Sequence, residues 1–466
     1  MEQEDTIVAI ATALGESAIA IVRLSGTTAT SIAQKVFRGK RKEDITLLPG
    51  YTVRFGHFVD LHGETIDQGL LTLFRSPHSY TGEDMVELSC HGGRAIVSRL
   101  LETLIQHGAR LAEPGEFTQR AFFNGKLDLA QAEAVADLVK AKTERARRAA
   151  LNQLEGKLSK VIHRLRSDII GALAAVEVTI DYSDEVGELD YSELEVRLAH
   201  ICQQALCLAN TARYGRILRE GMRVALIGPP NAGKSSLLNQ LLQTERAIVT
   251  PIPGTTRDLI EESLSINGIP IVLTDTAGLR VTADPVERIG VDLALKTAEQ
   301  ADLLLFIVDV SDLSSLNTLS PFPAVESKDR PTLFLLNKKD LVTNDTLEQA
   351  ANLVHQKFPY VTDIIPISAL TGENIERLRD KLLQITTSSL YGDTEEVMIT
   401  STRHSQALQE AVHHLQEALA TTRQQLPGDF IALDLREALN ALGQITGETV
   451  DDEIIHRIFQ DFCVGK

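Results

Sequence analysis

The residues best equipped for chemistry lie in the stretch GPPNAGKSS at 228–236. It matches the pattern GxxxxGK[ST] with Gly228, Gly233, Lys234 and Ser235. In this pattern the glycines let backbone amides turn inward around phosphates, the lysine reaches the β and γ oxygens, and the hydroxyl binds Mg²⁺. Because the apolar run RVALIG precedes it and the helical pattern SSLLNQLL follows, the stretch predicts a phosphate site at the start of a helix.

Four further motifs follow in order, and each comes where an apolar strand ends, which is where ligands bind in open α/β sheets. IPGTTRD places Thr255 and Thr256 in a loop that should meet Mg²⁺, and LTDTAG places Gly278 near the γ-phosphate. FLLNKKD and PISALTG end the next two strands. The predicted GTP contacts are Asn231, Ala232, Gly233, Lys234, Ser235, Ser236, Thr250, Pro251, Ile252, Pro253, Gly254, Thr255, Thr256, Asp275, Thr276, Ala277, Gly278, Asn337, Lys338, Lys339, Asp340, Ser368, Ala369 and Leu370.

The carboxylate of Asp340 predicts which base is bound. It can accept two hydrogen bonds from the N1–H and 2-amino groups of guanine. Adenine offers neither donor there, so ATP would leave a buried charge unpaired. Together the five ordered motifs predict a GTP-hydrolysing domain.

The position after the DTAG motif bears on how GTP is hydrolysed. Many Ras-like domains carry a Gln there to orient the attacking water, but this chain has Leu279. Asn231 and the oxygen-rich stretch TPIPGTT can together hold a monovalent cation against the phosphates. Glu287 is a carboxylate within reach of a water, although taken alone it fits a solvated helix residue as well.

Composition restricts the function classes. The net charge of −18 argues against broad nucleic-acid binding, which requires Lys and Arg to neutralise phosphates. The basic stretches at 38–42 and 145–148 are local candidates for RNA contact, or simply solvated faces. Four irregularly spaced cysteines suit a reducing compartment, the first residues are acidic where a signal peptide would be basic, and we expect a cytoplasmic protein without a membrane span.

Three types of sequence pattern divide the chain into segments. Residues 1–118 mix β-branched runs with Gly-rich turns and predict an α+β domain, whereas 216–388 alternates buried strands with helices, as in a parallel α/β sheet. Residues 119–215 and 389–466 show helical periodicity. We therefore predict a multidomain protein in which a Ras-like P-loop α/β domain is inserted into a discontinuous all-α domain. The helical spacing is clearest at Leu151, Leu154, Leu158, Val161 and Leu165.

Several longer stretches resemble the MnmE (TrmE) family of tRNA-modification GTPases. They are TIVAIAT, AIAIVRLSG, SYTGEDMVELSCHGG, PGEFTQRAFFNGKLDLAQAEAVADL, DTAGLR, VERIG and the final FCVGK. The resemblance implies a K⁺-activated GTPase whose N-terminal domain binds a tetrahydrofolate derivative (5,10-methylene- or 5-formyl-tetrahydrofolate) and forms a homodimer.

The resemblance also implies roles for individual residues. It places K⁺ on Asn231, Thr250, Ile252 and Thr255, Mg²⁺ on Ser235 and Thr256, and the water-orienting carboxylate on Glu287. It places folate contacts on Arg23, Glu87, Lys126 and Lys466. With Lys234, the implied catalytic residues are Glu287 and Cys463.

The implied reaction adds a carboxymethylaminomethyl or aminomethyl group to C5 of the wobble uridine of tRNA. The partner would be the FAD-containing protein MnmG, in a heterotetramer. The resemblance brings Cys463 to the folate pocket, where it is a candidate nucleophile, although a cysteine of the partner is an equal candidate. Taken alone, Cys463 fits a small buried hydrophobic residue.

Two other functions compete with this hypothesis. One is an Era-type regulatory GTPase whose output is partner binding, although such proteins lack a long N-terminal domain of this kind. The other is a folate-dependent aminomethyltransferase that GTP merely regulates. Mass spectrometry of wobble uridines in tRNA from a deletion strain separates the three.

The apolar Leu279 and the amide of Asn231 predict that GTP hydrolysis depends on K⁺. Hydrolysis should be much faster in K⁺ than in Na⁺, because a cation must supply the positive charge that the site otherwise lacks. Asn231→Ala should abolish this difference in steady-state GTPase assays. Equal wild-type rates in the two salts would contradict the prediction.

Overall fold

The structure is a computed structural model that describes residues 5–13, 15–41, 43–182, 185, 187, 189–244, 261–275, 298–313, 330–387, 397–460, 462 and 464–465. The chain divides into two compact units. The first comprises Met1–Val139, Gln153–Leu198 and His413–Lys466, and the second comprises Lys140–Asn152 and Ala199–Val412. No helix within the described ranges is long and apolar enough to cross a membrane.

The first unit contains a seven-stranded sheet with the order β3-β4-β5-β6-β2-β1-β7. Neighbouring strands are antiparallel except for β1 and β7, which are parallel. The strands are β1 (Ile7–Ile10), β2 (Ser17–Ser25), β3 (Phe37–Gly39), β4 (Thr52–Val59), β5 (Thr65–Phe74), β6 (Met85–Gly92) and β7 (Arg110–Leu111).

Alternation along β2 and β6 gives this sheet two chemically different faces. Val22, Leu24 and Leu88 belong to the core that the sheet shares with the first two helices. Successive side chains of a strand point to opposite faces, so Arg23 and Glu87, which are directly opposed in the β2–β6 register, lie on the other face. A charged pair is thereby fixed on the face of β2 and β6 opposite their apolar core residues.

Helices complete the first unit. They are α1 (Ala29–Val36), α2 (Arg94–Gln106), α3 (Glu116–Phe123), α4 (Leu129–Lys140), α5 (Glu144–Leu154), α6 (Lys157–Asp181), α7 (Tyr191–Ala209), α12 (Thr402–Arg423), α13 (Gly428–Thr446) and α14 (Asp452–Gln460). Of these, α4, α5, α7 and α12 contribute residues to both units.

The leucine periodicity around residue 158 spans two helices rather than one. Gly156 adopts a left-handed φ of 76° between α5 and α6, a conformation that favours glycine because it has no Cβ. Beyond this break the buried positions of α6 include Leu158, Ile162 and Leu165, so Val161 lies beside the buried stripe and not within it.

The apolar helix near the C-terminus docks on the first unit. Ile455, Phe459 and Phe462 are buried in one cluster with residues of α4. Close to them, a Cβ on Gly115 would lie 2.6 Å from the carbonyl oxygen of Phe459, so only a glycine allows this approach. The apolar residues of this helix are therefore packed against α4.

The second unit contains a six-stranded sheet with the order β13-β12-β11-β8-β10-β9, parallel except for the β9–β10 hairpin. Apolar residues on both faces of β11 are buried in two separate clusters, as expected for a parallel sheet covered on each side. The strands are β8 (Met222–Ile227), β9 (Glu261–Ile266), β10 (Ile269–Asp275), β11 (Leu303–Asp309), β12 (Thr332–Asn337) and β13 (Asp363–Pro366). The remaining helices are α8 (Ala212–Glu220), α9 (Lys234–Thr244), α10 (Asn344–Lys357) and α11 (Ile375–Thr387).

A buried ionic cluster ties α3 to the N-terminal strands. The side chain of Arg120 is 0% exposed, and its guanidinium contacts Asp5 at 2.7 Å, Glu83 at 3.2 Å and Glu116 at 3.1 Å. Burial raises the pKa of Glu116, but hydrogen bonds from Arg110 and Arg120 outweigh this effect, so its pKa lies below the ordinary value. Charge neutralisation in this cluster therefore stabilises the folded unit.

Replacement of Arg120 by methionine should destabilise the first unit by about 3–5 kcal/mol, because three carboxylates lose their buried counter-charge. Because the pKa of Glu116 is lowered in the folded protein, its contribution is fully present above the ordinary value of 4.5 and is lost as the pH falls through the lower folded pKa. The loss caused by Arg120→Met should therefore shrink in acid. Hydrogen exchange of β2 and β6 at neutral pH and in acid measures the loss of stability and its decrease at low pH.

Arg54→Met provides the matched control, because Arg54 forms an ion pair with Glu43 at 2.9 Å while its side chain remains 36% exposed. A surface pair of this kind contributes at most about 1 kcal/mol. Equal destabilisation by Arg54→Met and Arg120→Met would contradict the role given to the buried cluster.

Candidate functional site

The loop between β8 and α9 is shaped by glycines. A Cβ on Gly228 would lie 2.2 Å from the carbonyl oxygen of Ile307. Gly233 has a φ of 99°, and a Cβ there would lie 2.1 Å from Asn337 Nδ2. Asn231, with a φ of 63°, makes the turn between them. The loop can follow this tight path only because both glycines lack side chains.

Lys234 is the first residue of α9 and folds back over the loop. Its Nζ donates hydrogen bonds to the carbonyl oxygens of Gly228 at 2.6 Å and Pro229 at 2.9 Å. Ser235 and Ser236 follow in the first helical turn, where both are exposed and where backbone amides have no partner within the helix. Amides, an ammonium group and hydroxyls together form a donor set that fits a nucleotide phosphate with Mg²⁺.

Asn337 joins two parts of the site. Its side chain is 2% exposed, donates from Nδ2 to the carbonyl oxygen of Ala232 at 2.7 Å, and accepts from the backbone amide of Ala369 at 2.9 Å. The backbone amide of Lys339 donates to the carbonyl oxygen of Ile367 at 3.1 Å. The predicted residues of three separate motifs are thereby brought to one edge of the sheet.

Two lysines of the NKKD motif are held by carboxylates. Lys338 pairs with Asp309 and Lys339 with Glu373, whereas the side chain of Asp340 is exposed. Burial raises the pKa of Asp309, but hydrogen bonds from Lys338 and Ser311 outweigh it, so its pKa lies below the ordinary value. Sequence reasoning missed Asp309, although its place at the end of the apolar run LLLFIVD suggests a role at the same edge.

Among the predicted contacts between the phosphate loop and Asn337, the structure describes the backbone of Asp275. Asp275 ends β10, which pairs with β8 beside the phosphate loop. The predicted contacts that lie outside the described residues are Thr250, Pro251, Ile252, Pro253, Gly254, Thr255, Thr256, Thr276, Ala277 and Gly278, together with Glu287.

A second cavity, of about 540 Å³, lies in the first unit. Arg23, Glu87 and Lys126, which the sequence resemblance grouped together, all line it. Arg23 Nη2 lies 2.7 Å from Glu87 Oε1, and Lys126 Nζ donates to the carbonyl oxygen of Pro77 at 3.0 Å. The carbonyl oxygen of Gly465 accepts a 3.4 Å hydrogen bond from Arg23, while the neighbouring Cys463 and Lys466 lie outside the described residues.

Aromatic residues supply much of the remaining wall. Tyr51, Phe74 and Tyr80 line the cavity, and the guanidinium of Arg23 lies 5.6 Å from the centre of the Tyr80 ring. Burial raises the pKa of Tyr80 above its ordinary value, although the phenol shares a 2.8 Å hydrogen bond with Thr118. The aromatic residues were not predicted, although Tyr80 lies within the quoted stretch SYTGEDM.

The fold and the loop geometry define a P-loop nucleotide-binding protein whose chain also carries a charged, aromatic-lined cavity. Family models described as "MnmE helical domain" and "GTP-binding protein TrmE N-terminus" match residues 129–463 and 6–126. A protein from Enterococcus faecalis named "tRNA modification GTPase MnmE" is 43% identical, over 99% of this chain and 98% of that protein. The protein of the same name from Bacillus subtilis is 41% identical, over 99% of this chain and all of that protein. The chain belongs to the MnmE family.

Substitution of Asp340 and substitution of Asn337 should have different effects on nucleotide binding and stability. Asp340→Asn removes an exposed carboxylate, so the fold should persist while the preference for GTP over ATP falls by at least about tenfold. Asn337→Ala leaves the Ala232 carbonyl and the Ala369 amide without their partner, so it should lower both nucleotide affinity and thermal stability. Fluorescent-nucleotide titration and thermal unfolding measure these effects. An unchanged base preference in Asp340→Asn would contradict the assignment of the guanine contact.

Proposed function

We propose that this protein is a K⁺-activated GTP hydrolase that modifies the wobble uridine of tRNA. The observation that carries the proposal is the full-length similarity to proteins named tRNA modification GTPase, together with the phosphate loop of this chain. An Era-type switch would account for the nucleotide site alone, whereas here the N-terminal residues 6–126 match a family model of their own.

At the nucleotide site, the loop amides and Lys234 bind the phosphates, and Asp340 receives the guanine. Asn337 positions the phosphate loop against the 368–370 loop, as its two buried hydrogen bonds suggest. Ser235 and Thr256 would hold Mg²⁺, and Asn231, Thr250, Ile252 and Thr255 would hold K⁺. These cations supply positive charge against the phosphates. Glu287 orients the attacking water, which Leu279 cannot do.

The cavity of the first unit is proposed to bind a tetrahydrofolate derivative. Its volume lies in the range of small-molecule sites, and aromatic walls with a few convergent charged groups are typical of them. Glu87 offers a carboxylate for the donor edge of a pterin, and Arg23, Lys126 and Lys466 offer cations for the glutamate tail. The hydrogen bond between Arg23 and Gly465 supports the approach of the C-terminal residues to this cavity.

The wider assembly is proposed from family membership. The protein forms a homodimer through its N-terminal domain and a heterotetramer with the flavoprotein MnmG, and it acts in the cytoplasm. Such a partner would account for tRNA modification by a chain of net charge −18, because the partner can provide the phosphate contacts that an acidic protein lacks. The proposed domain limits remain 1–118, 119–215, 216–388 and 389–466.

Replacement of Cys463 by serine should abolish wobble-uridine modification and leave the GTPase rate unchanged, because the thiol is remote in sequence from every nucleotide motif. A deletion strain complemented with this variant supplies the tRNA, and mass spectrometry of its nucleosides gives the readout. Cys207→Ser, at an exposed cysteine of α7, is the matched control and should restore full modification.

The outcomes separate the parts of the proposal. Full modification by Cys463→Ser would make Cys463 a small buried hydrophobic residue. If expression of the wild-type protein in the deletion strain does not restore wobble-uridine modification, the proposed function itself is contradicted.

A further inference from the structure

The guanidinium of Arg23 in the first unit contacts two aromatic rings as well as a carboxylate. Its central carbon lies 5.6 Å from the centre of the Tyr80 ring and 5.7 Å from the centre of the Phe117 ring. A cation within about 6 Å of a ring centroid is attracted by the electron-rich face of the ring. Arg23 therefore has two favourable aromatic contacts in addition to its ion pair with Glu87.

Both rings are held in place by contacts that do not involve Arg23. Phe117 is fully buried in a cluster with residues of β1, and Tyr80 packs against that cluster. The phenol of Tyr80 shares a 2.8 Å hydrogen bond with the hydroxyl of Thr118. Phe117 and Thr118 belong to α3, which the Arg120 cluster ties to the N-terminal strands. Tyr80 and Phe117, the aromatic support of Arg23, are thus fixed by the fold itself.

The ion pair with Glu87 leaves part of each partner for a ligand. Arg23 Nε and Nη2 both contact Glu87 Oε1, at 2.9 and 2.7 Å, and Arg23 Nη1 donates to the carbonyl oxygen of Gly465 at 3.4 Å. Within the described part of the chain, neither side chain forms another hydrogen bond. A guanidinium has five N–H donors, so donors of Arg23 and the oxygen Oε2 of Glu87 remain for a molecule in the cavity that both side chains line.

An ion pair through one oxygen does not by itself fix the orientation of an arginine. The side chains of Arg23 and Glu87 are 20% and 19% exposed, so water competes for their contact. An arginine side chain has a large rotamer entropy, and a ligand that has to order it loses affinity. Aromatic contacts restrict the guanidinium without using its N–H donors. They therefore prepare Arg23 for a ligand and leave its hydrogen-bonding groups available.

We propose that Tyr80 is a positioning residue for the tetrahydrofolate derivative, because its ring and that of Phe117 hold the guanidinium of Arg23 in the orientation that binds the ligand. This inference rests on the proposed binding of folate to the cavity. Tyr80 acts through its ring and not through its hydroxyl, which is hydrogen-bonded to Thr118. The ring and the hydroxyl can therefore be tested separately.

Calorimetric titration of the full-length protein with 5-formyl-tetrahydrofolate tests the role of the ring. Tyr80→Leu should weaken binding about tenfold, because the cation–π contact of a partly desolvated arginine is lost. Tyr80→Phe is the matched control, since it keeps the ring and loses the hydrogen bond to Thr118. It should bind like the wild type but unfold at a lower temperature, because the buried Thr118 hydroxyl loses its partner. Equal weakening of binding by the two substitutions would overturn the proposal.

The same titration in an Arg23→Gln background separates positioning from direct contact with the ligand. If Tyr80 acts through Arg23, Tyr80→Leu causes no further loss of affinity in that background. A further loss of about tenfold would mean that the Tyr80 ring contacts the ligand itself, which would overturn the proposal.

A measurement without ligand distinguishes a failure of this inference from a failure of the proposed folate binding. Phenylglyoxal modifies arginine side chains, and peptide mass spectrometry gives the rate at Arg23. This rate should rise several-fold in Tyr80→Leu and stay unchanged in Tyr80→Phe, with Arg54, whose side chain is 36% exposed, as the internal reference. An unchanged rate at Arg23 in Tyr80→Leu would overturn the inference. If the rate rises but the wild type binds no 5-formyl-tetrahydrofolate, the holding of Arg23 by the ring is upheld and the proposed folate binding is contradicted.

Discussion

The nucleotide site depends on one buried side chain, Asn337. Its amide group is the physical link between the phosphate loop and the loop that follows β13, which are far apart in sequence. Parallel strands bring their carboxyl ends to one edge, but this alone would leave the loops free to move against each other. An amide can both donate and accept, so a single side chain fixes two backbones at once. An aspartate of the same shape could not donate to Ala232.

The first unit contains two groups of paired charges, the Arg120 cluster and the Arg23–Glu87 pair, and they differ in how deeply they are buried. Arg120 is fully enclosed and its three carboxylates neutralise it, which makes the cluster a structural element. The Arg23–Glu87 pair keeps about a fifth of each side chain exposed and faces a cavity. Such a pair can exchange its partners for those of a ligand at modest cost, because it was never fully removed from water. Burial therefore distinguishes the stabilising cluster from the binding pair.

The features that sequence could predict are those encoded locally. The phosphate loop and the strand-end motifs at 337–340 and 368–370 each occupy a short stretch, and the structure places them at one edge of the sheet. The break between α5 and α6 at Gly156 was not predicted, because a glycine is tolerated within a helical pattern. Only the backbone φ shows that the chain turns there. The aromatic walls of the cavity were not predicted, because Tyr51, Phe74 and Tyr80 come from separate strands and loops. Their proximity is a property of the sheet and not of any local pattern.

The hydrogen bond between Arg23 and Gly465 has a consequence for biosynthesis. The two residues are 442 positions apart, and Arg23 lines the cavity of the first unit. At roughly 5–20 residues per second, the strand carrying Arg23 leaves the ribosome on the order of half a minute before Gly465 is added. During that interval the sheet can form, but Arg23 lacks its hydrogen bond to the carbonyl oxygen of Gly465. A chain that lacks Gly465 would therefore keep the folded sheet and lose this backbone hydrogen bond to Arg23.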